Sequence, residues 1–97
     1  MIKQVSLVDI VGPTSIHIHA EITDQGDLLL SGQDLGDAPK EIFGDSDYEY
    51  WLRIKAADKD QLLLALIEKI YAANTMVISE LQEYLKAKEI PSEFTSF

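Results

Sequence analysis

The chain has 97 residues, no cysteine and a net charge of −9. Its length leaves room for one domain, expected over residues 1–97. The missing cysteine excludes disulfide staples, thiol nucleophiles and thiolate-bound zinc. The negative surface argues against nucleic acid and anionic membranes, whose partners draw affinity from lysine and arginine.

The first element is expected from Lys3 to Val11, a stretch rich in β-branched residues and ended by Gly12-Pro13. Ser6 and Asp9 interrupt its apolar run, so it lacks the unbroken hydrophobic segment of a signal peptide. Ser15 to Thr23 alternates: Ile16, Ile18, Ala20 and Ile22 share one face, and His17, His19, Glu21 and Thr23 share the other. The turn TDQGD, with Gly26 free to take positive φ, leads into a third strand from Leu28 to Ser31.

The next stretch, GQDLGDAPKEIFGDSDYEYW, holds six of the seventeen acidic residues and four of the eight aromatic ones. That crowding prompts two chemical tests. Asp45, Asp47 and Glu49 alternate like the carboxylates of a calcium loop. The sixth position, however, is Tyr50 rather than glycine, and the twelfth is Ala56 rather than glutamate. GQDLG carries two glycines, but no GK[ST] follows, and Asp34 would repel a phosphate. A structural reading accounts for more of the stretch. GQDLG reads as a turn. Asp37 caps a helical turn with Pro39 in its first positions, Gly44 ends it, and Ile42 and Phe43 cover a core edge.

Tyr48 to Lys55 alternates as a fourth strand, with Tyr48, Tyr50, Leu52 and Ile54 on one face and Glu49, Trp51, Arg53 and Lys55 on the other. Asp58 and Gln61 then resemble a capping box ahead of a helix with Leu62, Leu63, Leu66, Ile67, Ile70 and Tyr71 on one stripe. Its apolar run, Leu62 to Ile67, falls far short of the roughly 20 residues a membrane helix needs. A last helix carries Ile78, Leu81 and Leu85. Asn74, Thr75 and Ser79 are each able to start it, and Pro91 bars its continuation. The order ββββαα predicts an α+β domain: a four-stranded antiparallel sheet with two C-terminal helices packed on one face.

DLLLSGQDLG, FGDSDYEYWLRI and EIPSEFTSF resemble a family of small bacterial proteins with no established activity, over roughly residues 26–97. The resemblance implies a stand-alone cytosolic protein and lends no catalytic residues. Members often end the last helix with glycine; here that place is taken by Glu89.

For function, the leading expectation is a non-enzymatic protein-interaction module without cofactor or metal. An acidic loop and an aromatic-bearing sheet face, comprising Asp34, Asp37, Asp45, Asp47, Glu49 and Trp51, would bind a basic or neutral protein partner. An immunity-type neutraliser of a basic toxin is one concrete form. A homodimer is expected near Trp51, which Phe94 and Phe97, or Ile42 and Phe43, would otherwise cover. The alternative is a metal-dependent enzyme or metal-binding protein centred on His17, His19 and Glu21, which alternate along one strand face. No GxSxG supports a serine nucleophile. A cytoplasmic location follows from these readings.

Overall fold

The computed structural model describes residues 3–97. The chain forms two compact units that meet in sequence at Asp60 and Gln61.

The first unit is an antiparallel sheet of order β1-β2-β3-β4, comprising β1 (Gln4–Ile10), β2 (Thr14–Ile22), β3 (Leu28–Gly36) and β4 (Asp47–Ile54). A helix, α1 (Asp37–Phe43), is inserted between β3 and β4. The strands fall where alternation placed them, with one correction. GQDLG is not a turn: β3 runs straight through it from Leu28 to Gly36, paired throughout with β2.

Register sorts the side chains onto two faces, since directly opposed residues share a face. Val5, Ile18, Leu30 and Leu52 belong to the apolar face, and His17, Gln33 and Glu49 to the polar one. In β1 a simple alternation would fail, because Val5 and Val8 are an odd number of residues apart. A β-bulge resolves this. Ser6 pairs with His19 and Val8 with Ile18, leaving Leu7 as the extra residue. The bulge returns Val8 and Ile10 to the side of Val5 and sends Asp9 to the polar side, opposite His17.

The β2–β3 turn closes as TDQGD suggests. The Thr23 amide donates to the Asp27 carbonyl at 2.8 Å, the Gly26 amide donates to the Thr23 carbonyl at 2.8 Å, and Gly26 has φ 85°. Asp27 does more than turn the chain. It is 6% exposed, and its carboxylate accepts the Ala56 amide at 2.8 Å and an Arg53 guanidinium N–H at 3.0 Å. One acid thus ties the β2–β3 turn to the end of β4. The Ala56 amide foremost, and then Arg53, hold the Asp27 carboxyl below its ordinary value. A carboxyl lowered in the folded state stabilises the fold above its unfolded pKa, and that contribution fades as pH falls through the folded value. Asp27→Asn should therefore lower the urea midpoint at pH 7, and the difference from wild type should shrink towards pH 2. A gap of equal size at both pH values would contradict this.

DAPKEIF forms α1 as expected, and Gly44 closes it at φ 76° with its amide on the Lys40 carbonyl. Its start differs from expectation. Asp37 is already helical, Gly36 holds the cap position, and Thr14 of β2 supplies the missing acceptor, taking the Ala38 amide on Oγ1 at 3.0 Å. A cap borrowed from a neighbouring strand is invisible to local sequence rules. Pro39 is the buried residue of α1, whereas Ile42 and Phe43 remain largely exposed; Phe43 stacks on Tyr48 at 4.3 Å.

A short 3₁₀ turn (Ala56–Asp58) ends the first unit and leads into α2 (Lys59–Tyr71), which runs into the second; α3 (Val77–Ala87) follows the break at Asn74. Asp58 belongs to the 3₁₀ turn, so the expected capping box gives way to that turn. None of the three residues able to start α3 holds its cap position, which Met76 takes without a side-chain cap. Asn74 instead shapes the turn ahead of it, accepting the Met76 amide on Oδ1 and donating from Nδ2 to Glu80, both at 2.8 Å. The far end of α3 is a Schellman turn: the Ile90 amide reaches the Leu85 carbonyl and the Glu89 amide that of Lys86. Glu89 sits at φ 56°, a place glycine normally takes. The helix therefore ends in the usual geometry, with a non-glycine residue carrying the strain. Among the described residues no helix is long and apolar enough to cross a membrane.

Candidate functional site

The polar face of the sheet gathers the side chains capable of chemistry. Two rows cross it: His17–Gln33–Glu49, and beside it His19–Ser31–Trp51. Small or slender residues of β3 occupy the middle, and larger side chains of β2 and β4 stand on either side. The result is a shallow depression of about 180 Å³ lined by His17, His19, Ser31, Gly32, Gln33, Glu49 and Trp51. The two wall strands lie two strand spacings apart, roughly 9.5 Å.

Hydrogen bonds organise its rim. His17 Nδ1 lies 2.7 Å from Asp9 Oδ1, a contact the β1 bulge makes possible. With Asp9 ionised, Nδ1 is the donor in this contact. Gln33 Nε2 donates to Asp47 Oδ1 at 3.1 Å, with a longer 3.5 Å contact to Glu49 Oε1. One amide thus holds two carboxylates side by side on β4. Asp45 is used locally, its Oδ1 accepting the Asp47 amide at 3.1 Å.

The acids expected to form one patch are divided by the fold. Asp47, Glu49 and Trp51 share the polar face. Asp34 faces the other way, where Tyr50 donates its hydroxyl to Asp34 Oδ1 at 2.8 Å. Desolvation first, and the Asp34 carboxylate second, push the Tyr50 phenol above its ordinary value. Asp37 lies in the first turn of α1.

Trp51 is 61% exposed. Phe43, one of the rings expected to cover it, stacks instead on Tyr48 of the opposite face. Phe94 belongs to the other unit. His17, His19 and Glu21 do share a face, as alternation requires. Yet among the described residues no three His, Cys, Asp or Glu side chains converge closely enough to hold a metal ion. Asp9, Ser31 and Gln33 were not expected at the site. Gln33 was hidden by reading GQDLG as a turn, and Asp9 by the bulge.

No family model, curated protein or solved structure matches the chain. The likeness carried by GQDLG, YEY and IPSEF thus rests on those short stretches alone.

Proposed function

We propose that the chain is a non-enzymatic, cytoplasmic protein-interaction module that binds a basic protein through the polar face of its sheet. The observation carrying this reading is Trp51: a large indole, 61% exposed, at the edge of a depression flanked by Glu49 and Asp47. Rigid aromatic side chains of this kind are frequent binding hot spots. The neighbouring carboxylates and the net charge of −9 favour and steer a positively charged partner. A neutraliser that covers the basic surface of a toxin is one form such a module takes.

A second copy of the chain is a poorer occupant of this face. Twofold pairing about this face would set Asp47 and Glu49 of one copy near those of the other, and Arg53, a cation on the same face, is bound to Asp27.

The test is affinity capture from the native host with wild type and Trp51→Ala in parallel, followed by titration of the captured protein. A basic partner should be retained by wild type and bound about 30-fold more weakly by the variant, the equivalent of ~2 kcal/mol. Equal binding by both would overturn the placement. A concentration-dependent dimer in light scattering that Trp51→Ala dissolves would assign the face to self-association instead.

A further inference from the structure

We infer that the depression between β2 and β4 is a slot for an arginine side chain, presented by a basic segment of the partner protein. The inference rests on the interaction reading above and specifies its chemistry.

Three features of the lining converge on this ligand. The first is shape. Imidazoles of His17 and His19 stand on one side, the Trp51 indole on the other, with Ser31, Gly32 and Gln33 between them. A separation of roughly 9.5 Å between the wall strands admits one planar group between side chains of opposite walls. The second is charge. Glu49 is a carboxylate on the lining itself, and Asp47 lies beside it through the shared Gln33 amide. The third is the supply of acceptors. Gln33 Nε2 is already donating to the acids, so its Oε1 remains available. Ser31 Oγ adds to it.

A guanidinium is planar, permanently charged, stacks on aromatic faces and offers five donors. It matches a ring-walled, acceptor-rich slot with one carboxylate in reach. A lysine ammonium is a compact point charge that satisfies the carboxylate but leaves the ring walls and most acceptors unused. Charge complementarity therefore selects a basic segment, and shape selects arginine within it.

Trp51 is the sole tryptophan of the chain, so intrinsic fluorescence reports directly on the slot. The full chain would be titrated with three short peptides identical except for one central residue: arginine, lysine or its neutral isostere citrulline. The arginine peptide should shift Trp51 emission and bind about tenfold more tightly than the lysine peptide, with citrulline weaker still. Glu49→Gln, an exposed substitution, should weaken the arginine peptide about tenfold. Asp24→Asn/Glu41→Gln, which removes two exposed charges of the same unit that are not part of the lining, should change it less than twofold.

Equal affinity for arginine and lysine, or equal losses from Glu49→Gln and the control pair, would reduce the effect to net charge and overturn the slot. So would the lack of any emission change at millimolar arginine peptide. If the captured partner binds through Trp51 but without arginine preference, the slot alone fails. If arginine selectivity holds while capture is indifferent to Trp51, the interaction reading alone fails.

Discussion

Gly36→Ala is expected to destabilise the sheet unit by roughly 3 kcal/mol, from backbone strain and overlap acting together. Gly36 joins β3 to α1 at φ 116° and ψ −137°, a region that residues with a Cβ scarcely enter. A Cβ built there would overlap the Pro13 carbonyl oxygen, which is main chain and unable to rotate away. That same carbonyl accepts the Asp37 amide at 3.1 Å, while the Gly36 amide reaches Ser46 at 2.8 Å. Relieving the overlap would therefore loosen the strand-to-helix corner from both sides, and with it the Thr14 cap on Ala38. Chemical denaturation of the variant decides the matter. A loss below about 1 kcal/mol would show that the corner relaxes freely.

The corner also marks where the sequence was hard to read. Period-two alternation was enough for β2 and β4, because Ile16, Ile18, Ala20 and Ile22 alternate in the one, and Tyr48, Tyr50, Leu52 and Ile54 in the other, with only Trp51 breaking the pattern. It stopped too early in β3, because Gly32 and Gly36 look like turn punctuation. Only Gly36 bends the chain; Gly32 lies mid-strand, paired with Ile18 and Tyr50. Parity then misplaced Asp34: as part of a loop it joined the other acids, whereas on a strand it must face away from Gln33 and towards Tyr50. The odd spacing of Val5 and Val8 did carry a signal for the β1 bulge, legible once both had to reach one face.

The site was half legible for a related reason. Alternation placed His17 with His19, and Glu49 with Trp51, each pair on its own strand. That the two pairs lie on the same face, separated by Ser31 and Gln33, depends on β2–β3 and β3–β4 register. Local pattern does not contain register when a strand end is misread. His17 and His19 of one sequence reading, and Glu49 and Trp51 of the other, thus line one depression, while Glu21 lies outside it.

Gly32→Ala is expected to cost about 2–3 kcal/mol, although alanine is the better residue for most strand interiors. The Tyr50 ring lies over Gly32 so closely that a Cβ would overlap its Cε2 and Cζ atoms. Glycine here makes room for the ring, and the ring covers the backbone that glycine leaves bare. Tyr50 cannot step aside without loss. Its hydroxyl donates to Asp34 at 2.8 Å, and its ring lies 5.3 Å from Tyr48, which in turn stacks on Phe43 of α1 at 4.3 Å. Displacing it would strip a hydrogen bond and disturb the aromatic row that anchors α1 to the sheet. A double-mutant cycle isolates the cause. With Tyr50→Ala already in place, Gly32→Ala should cost less than about 1 kcal/mol, since no ring remains to collide with. The phenol gives an independent readout: expelled towards water, Tyr50 should lose the desolvation that raises its pKa and ionise at lower pH than in wild type. Additive losses in the cycle, with Tyr50 ionisation unchanged, would show that the glycine serves the backbone rather than the ring.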